Sequence, residues 1–491
     1  MSWHACIAEA NLCSNFYDIL RVRKWVTALF FFQLWTQGDR YVSESIPKDT
    51  TDRPGQIHFR RRLVVIFLLV VPVVFLGRHS LVDVATARVE LSMHRADYRA
   101  AESWLQVAEF IAPTDAKTAF LRARLNRHLG HQEQFAESLE KAHTAGFPAE
   151  RIMLEQTLNR AMAGDLKELE QQLSALLIKG DDVSEICEAY VLGCLMSYRL
   201  ADASAVLQVW LADFPKASKA RFLSGRLLEH RENLNEAASE YSLASDLNHG
   251  PSAFALAGVL IEQHELESAV IQAERARELL YDPQPGNVLL ARLHRMLGKL
   301  DAAEKYLSLA HESDLNSAST AWKIAGVPAS DAISEVDAER AEILLARKDY
   351  GGAEKSFRLA LEKSPQRWRL RNGLATALRL QGRLDEASEH LSRFREATQA
   401  LDECGSLIDK LRSEPDNLDA RVRVAETLLN HVSENQGIVW LQSVLQYDPS
   451  HQKAHRLLFE FYRDHASENP EFPRLSKYHE KQLYGQAATD N

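Results

Sequence analysis

The chain has 491 residues, of which 46% are hydrophobic and 26% charged, and its formal net charge is −10. This length exceeds what one ordinary core serves, and the hydrophobic content excludes a disordered polypeptide. The acidic, well-mixed charge argues against a nucleic-acid-binding protein, and 21 glycines with 15 prolines are too few for the many tight turns of an all-β chain.

Residues 1–58 form an N-terminal segment to which the sequence assigns no function. Its apolar stretch from Trp25 to Trp35 is shorter than the ~20 residues that cross a bilayer. Basic residues precede this stretch, a pattern that also fits a helix lying in the membrane interface.

Residues 59–81 are predicted to form a transmembrane anchor that contacts the lipid bilayer. The uncharged run from Leu63 to Gly77 follows three arginines at 60–62 and becomes long enough to span if the helix continues for a few residues. A cleaved signal peptide is the alternative, because residues 85–87 read Ala-Thr-Ala, the pattern of a cleavage site. Since basic flanks stay in the cytoplasm, the anchor predicts a single-pass membrane protein whose C-terminal region is extracytoplasmic.

A period of 34 residues runs through the rest of the chain. Small or apolar residues recur at this step, and apolar residues also stand four and seven positions after each of them. These spacings place the side chains on one face of a helix. A weaker apolar face lies upstream in each unit, and polar turns separate the two faces, which predicts a helix–turn–helix unit. The first series comprises Ala101, Phe135, Leu169, Ala203, Ala237, Ala269, Ala303, Ala353, Ala387 and Gly437.

This unit resembles the tetratricopeptide repeat family. The best copy begins at Lys348-Asp349-Tyr350 and continues through Ala353, Phe357 and Ala360 to Pro365. The resemblance covers residues 82–462 and implies stacked helix pairs that wind into a right-handed superhelix. We therefore expect an all-α fold: an α-solenoid of about ten such helix pairs, preceded by one transmembrane helix.

Departures from the period divide the array. Residues 82–316 are expected to hold about seven repeats, 317–333 an insertion, and 334–400 two further repeats. Residues 401–462 would contain an extra helix, the last repeat and a capping helix, and 463–491 would be a polar tail. The two inner repeats form either a separate superhelical segment or only a variation on the family. Two steps of 50 residues each exceed the period by 16, which suits a short helix and a turn.

No catalytic, cofactor-binding or metal-binding constellation is evident. The chain lacks phosphate-binding glycine motifs and the spacing of a zinc site, and its five scattered cysteines are expected to be small buried apolar residues. We expect no cofactor and no small-molecule substrate. An enzyme or enzyme subunit with a cryptic site in the solenoid is the alternative, and a structural spacer is a third possibility.

The predicted function is that of a membrane-tethered scaffold that holds partner proteins or peptides in a concave groove and supports assembly of a complex. Such a groove is lined by the first helix of each pair. Arginine and lysine side chains on this face could grip acidic groups of a partner. If these cations do not bind the partner, Phe120, Phe222 and Phe254 are the apolar groove residues that would contact it. The predicted groove cations are Lys117, Arg124, Arg127, Arg226, Arg292, Arg295, Arg369 and Arg379.

Overall fold

The computed structural model describes residues 80–180, 182–327, 329–467 and 471–485. Within these ranges the chain forms helices and no strand, which confirms the predicted all-α class. Short turns join most of the helices, and most helices contact their neighbours along the chain. The described part is therefore a stack of helix pairs, in which each pair has a first and a second helix.

The helix bounds follow the predicted units closely along the described chain. They are α1 (80–94), α2 (Tyr98–Ile111), α3 (Ala116–Leu129), α4 (Gln132–Thr144), α5 (Ala149–Met162), α6 (Lys167–Lys179), α7 (Val183–Met196), α8 (Leu200–Asp213), α9 (Ser218–His230), α10 (Leu234–Asp246), α11 (Gly250–Glu262), α12 (Leu266–Leu279), α13 (Gln284–Met296), α14 (Leu300–His311), α15 (Leu315–Ile324), α16 (Ala329–Ala332), α17 (Glu335–Ala346), α18 (Tyr350–Lys363), α19 (Trp368–Leu380), α20 (Leu384–Ser413), α21 (Leu418–His431), α22 (Glu434–Tyr447), α23 (Gln452–Asp464) and α24 (Phe472–Tyr484).

The residues that recur every 34 positions in the sequence are buried in the core. Every member of the first series, from Ala101 to Gly437, is buried on a second helix. Small side chains recur there because the two helices of a pair must approach closely, and larger ones fill the space between pairs. Asp115, Asp349 and Asn417 begin helices by accepting a backbone N–H three residues on, which satisfies a donor that the first turn leaves open.

Two glycines make room for an aromatic ring of the neighbouring helix. A Cβ atom on Gly225 of α9 would lie 2.4 Å from the ring of Tyr241 on α10. A Cβ atom on Gly373 of α19 would lie 2.3 Å from the ring of Phe357 on α18. Tyr241 and Phe357 occupy the same register position, so the aromatic side chain there requires a glycine opposite it.

Both departures from the period add helix. The first contributes α15 and the short α16, which follow the seventh pair. The second lengthens α20 to 30 residues, so the segment Leu401 to Leu411, predicted as a separate helix, is the C-terminal part of one continuous helix. The predicted polar tail, 463–491, contains α24, whose Ser476 and His479 are buried against α23.

The predicted localisation, a single-pass membrane protein, is wrong for the described chain. No helix in the described ranges is both long enough and apolar enough to cross a membrane. Most of them have 14 residues or fewer, and α20, with 30, carries charged residues throughout, whereas a span needs ~20 apolar residues. Of the predicted anchor, 59–81, only residues 80 and 81 are described, and they belong to α1; the remainder and 1–58 lie outside the described residues.

Candidate functional site

Four first helices form one continuous surface: α3 contacts α5, α5 contacts α7, and α7 contacts α9. This is the face on which the sequence places the groove. Three features lie along this surface, in order from the N-terminal to the C-terminal ends of the helices. They are a cleft lined by phenylalanines, a buried set of charges, and contacts with distant repeats.

The charge network links the four helices through ion pairs. Arg124 and Arg127 both bind Glu155, at 2.5 and 2.8 Å. Arg127 also donates to Glu185 at 2.5 Å, and Lys219 donates to Glu188 at 2.8 Å. Each of these side chains is at most about one-tenth exposed. We call the set Arg124, Arg127, Glu155, Asp182, Glu185, Glu188 and Lys219 the charge network.

Electrostatics keep Glu155 and Glu185 of the charge network ionised. Burial alone would raise the pKa of Glu155, but Arg127 and Arg124 outweigh it and lower the pKa. Burial likewise opposes the charge on Glu185, yet its cationic neighbours hold the pKa well below the usual value. His128 has its pKa lowered by burial, so it is neutral at pH 7. Arg124, Arg127 and Lys219 bring positive charge to the buried carboxylates, and His128 adds a hydrogen bond to Glu185 at 2.9 Å.

The phenylalanine cleft lies at the N-terminal ends of α3, α5 and α7. Its volume is about 510 Å³. Phe120 is buried at its base and stacks on Phe147 with 4.2 Å between ring centroids, while Phe214 is 45% exposed at the mouth. Two cations stand at the mouth, Lys117 and Arg151, each paired with a carboxylate of the chain. The residues that line it include the apolar Phe120, Phe147 and Phe214, the cations Lys117, Arg124 and Arg151, and the carboxylates Glu90, Asp182 and Glu185.

The eight predicted groove cations fall into four settings. Arg124 and Arg127 lie in the charge network, and Lys117 lies at the phenylalanine cleft, 3.1 Å from Glu90. Arg369 and Arg379 are exposed on α19, and the guanidinium of Arg369 lies 5.2 Å from the ring centroid of its neighbour Trp368.

The remaining three predicted cations are also paired within the chain. Arg292 binds Glu335 at 2.9 Å, and Arg295 binds Glu339 at 2.6 Å, so α13 is tied to α17 across the insertion. Arg226 lies 3.6 Å from Glu229 one turn away. The structure therefore brings Arg124 and Arg127 together, and Arg292 and Arg295 together, but each set faces carboxylates of neighbouring first helices.

One group in the described ranges has donor atoms close enough to hold a metal ion. Atoms of His128, Glu185 and Glu188 lie within 4.8 Å of one another. Lys219 occupies this environment as well, 2.8 Å from Glu188 and 3.9 Å from Glu185. The ammonium group thus supplies the positive charge that two buried carboxylates require.

The cysteines in the described chain offer no reactive group. Cys187, Cys194 and Cys404 are buried free thiols, as the sequence analysis expects. Burial raises the pKa of Cys187 to about 11 and that of Cys194 to about 12. Because the thiolate is the nucleophilic form, these side chains are inert at neutral pH.

Residues 344–411, which span the end of α17 to the long α20, match the family model of the tetratricopeptide repeat. This segment of the chain is similar to tetratricopeptide repeats. The matched segment contains Lys348 to Pro365, the copy that most resembles the family in sequence.

No curated protein matches the chain. Several solved structures do, each at low identity. A tetratricopeptide repeat protein from Parabacteroides merdae is 13% identical, with 65% of this chain and 99% of that one covered and a TM-score of 0.31. A thermophilic one from Thermus thermophilus is 19% identical, covering 43% and 100%, with a TM-score of 0.27. Yeast Tom70 is 14% identical, covering 82% and 89%, with a TM-score of 0.33.

Sequence reasoning missed the partners of the arginines. The acids that bind Arg124 and Arg127 are separated from them by 28 to 58 residues, and they belong to the next one or two first helices. A signal was present, because Glu155, Glu185 and Glu188 lie on the first helices of the next one or two units. Comparing charges between units, not only within one, would have predicted the pairing.

Proposed function

We propose that this tetratricopeptide repeat chain is a scaffold that binds a partner protein, and that the phenylalanine cleft is where it binds. The observation that carries the proposal is the cleft itself: an opening of about 510 Å³ beside a surface whose charges are otherwise paired. Clefts of this size, with apolar walls and a few polar groups, are typical binding sites. The role proposed is binding, not catalysis.

The cleft favours a partner segment with one apolar side chain next to carboxylates. Phe120, Phe147 and Phe214 offer apolar walls against which the apolar side chain can pack. At the mouth, Lys117 is 46% exposed and Arg151 is 30% exposed, so both can shift toward an acidic group of the partner. Of the cations predicted to line a basic groove, Arg124 and Arg127 are no longer proposed to contact the partner, because they already bind buried carboxylates of the chain. We keep Arg369 and Arg379 as a second, exposed basic patch.

Short fluorescent peptides test the proposal. Each carries one leucine or phenylalanine flanked by acidic, neutral or basic residues, and binding to the full-length chain is measured by fluorescence anisotropy. We expect the acidic peptides to bind most tightly and to weaken as salt rises, since exposed charges are screened beyond about 10 Å at 0.1 M. Phe214→Ser, and Lys117→Glu combined with Arg151→Glu, should each weaken binding about tenfold, or about 1.4 kcal/mol.

Matched controls separate the cleft from the rest of the surface. Phe110 is a phenylalanine of similar exposure, 54%, on the second helix α2, so Phe110→Ser should leave binding unchanged. Arg463→Glu reverses an exposed charge on α23, far along the chain, and should also have no effect. Equal binding of acidic and basic peptides, or equal binding by Phe214→Ser and the wild type, would exclude the cleft as the site.

A further inference from the structure

The C-terminal ends of the four first helices each receive a side chain from a distant repeat. The carbonyl of Gly130, which caps α3, accepts from Lys323, and the carbonyl of Ser197, which caps α7, accepts from Arg421 at 3.0 Å. After α5, the carbonyl of Gly164 accepts from Gln446, and at the end of α9 the carbonyl of His230 accepts from Arg412. We call these four donor–carbonyl contacts the seam.

The seam joins residues that are 180 or more positions apart in the chain. The last carbonyls of a helix lack partners within the helix and carry the negative end of its dipole. Side chains that donate hydrogen bonds, most of them cationic, suit these ends. The pattern repeats on four consecutive first helices, so it is a feature of the array and not one chance contact.

Both insertions contribute to the seam. Lys323 belongs to α15, in the first insertion, and the neighbouring Thr320 bonds His131 at 2.9 Å. Arg412 lies on the extension of α20 that the second insertion produces. Regular repeats alone would not supply these two donors. The extra residues that interrupt the 34-residue period therefore serve the contact between distant repeats.

Burial of Arg421 in the closed seam carries a desolvation penalty. Its side chain is fully buried, and it binds the carbonyls of Pro415 and Ser197, the hydroxyl of Ser443 and, at 3.3 Å, that of Tyr447. All four are neutral oxygens. A buried cation without an opposite charge loses hydration that neutral acceptors only partly replace. Opening the seam would return water to the guanidinium.

We propose that the segment from α15 to α22 contains a releasable cover, which closes the C-terminal ends of α3, α5, α7 and α9. The cover rests on Lys323, Arg412, Arg421 and Gln446, with Tyr198 against Trp440 as the apolar contact, 4.9 Å between centroids. When the seam opens, the backbone carbonyls at these four helix ends become accessible. The cover acts as an intramolecular ligand of its own groove.

The test uses the full-length chain and needs no partner, so it is independent of the cleft. Arg421→Met, and separately Arg412→Ala with Gln446→Ala, are compared with Arg423→Ala, an exposed arginine on the same helix as Arg421. Hydroxyl-radical footprinting reads the reactivity of Tyr198 and Trp440, and small-angle X-ray scattering reads the radius of gyration. Tyr462, buried in the core of the last pairs, is the internal reference.

We expect the seam variants to raise the reactivity of Tyr198 and Trp440 several-fold and to enlarge the radius of gyration, while Tyr462 stays protected and helicity is unchanged. Arg423→Ala should behave as the wild type. Protection of Tyr198 and Trp440 equal to the wild type in both seam variants would overturn the proposal. Loss of protection at Tyr462 as well would also overturn it, because it would show that the contact is part of a single core and not a separable cover.

Discussion

Replacing Arg127 with methionine should destabilise the N-terminal repeats by about 3–5 kcal/mol, the cost of removing one partner from a buried ion pair. The side chain of Arg127 is fully buried and donates to Glu155 at 2.8 Å and to Glu185 at 2.5 Å. Methionine has a similar length and fills the space, so the loss is electrostatic: two buried carboxylates keep one fewer cation. Arg124 still binds Glu155, which places the expected cost nearer the lower figure.

The matched control is Arg358→Met. Arg358 pairs with Glu354 and Glu386, but its side chain is 45% exposed. Exposed pairs contribute ~0–1 kcal/mol, so this variant should be close to the wild type. Both substitutions remove one arginine and add one methionine, and they differ chiefly in burial.

At acidic pH, Arg127→Met should lower the free energy of unfolding by less than it does at pH 7. The pKa of Glu155 is lowered in the folded chain, so its ion pairs contribute stability that is present above the unfolded value of about 4.3 and is lost as pH falls through the lower folded value. Without Arg127, the carboxyl group is protonated more readily and its burial costs less. The difference between variant and wild type should therefore narrow below about pH 4.3.

Hydrogen exchange of amides in α5 and α7 is the suitable assay, because repeats can open locally and a global unfolding curve averages over them. A difference under 1 kcal/mol between Arg127→Met and wild type at pH 7, similar to that of Arg358→Met, would refute the reasoning. Arg127 would then be free to serve an external acidic partner.

Three other predictions follow from individual positions. Ala353→Trp should cost about 3 kcal/mol or more in denaturant unfolding, because Ala353 is fully buried where helices meet; an equally stable variant would show the register to be wrong. His249 has its pKa lowered to about 3 by burial and then by Lys219, so acidification from pH 6.5 to 4.5 should remove up to about 3 kcal/mol, at ~1.4 per unit. His249→Asn, which can still cap Ser252, should flatten that slope in thermal melts at several pH values. Gly405→Ala should raise the melting temperature by adding about 0.5–1 kcal/mol, since a Cβ there meets nothing within 4 Å in α20, and a lower melting temperature would contradict this.

The sequence alone predicts the helix pairs because their determinants are local and periodic. The series from Ala101 to Gly437 identifies the buried face of each second helix, and polar turns mark the ends. The same reasoning placed Lys117 and Phe120 on the first-helix face, where both now line one cleft. Periodicity reveals which face of each helix is buried, but it carries no information about which distant helix that face meets.

What the sequence could not predict depends on distances between helices that are far apart in the chain. Arg124 and Arg127 were expected to face a partner, but their nearest acids come from α5 and α7. The bond from Arg421 to Ser197 spans 224 positions, and no periodic pattern announces it. Such contacts depend on how much each repeat rotates relative to the last, a quantity that the packing of all the pairs decides together.

The contact between Arg421 and Ser197 has a consequence for how the gene can change. Repeat arrays commonly gain or lose whole units, because each unit touches only its neighbours and the ends adjust. Here a duplicated or deleted unit of 34 residues anywhere between α9 and α20 would carry Arg421 away from the end of α7 and separate Arg412 from His230. The number of units between these points is therefore fixed by geometry, while the pairs after α22 remain free to vary in number.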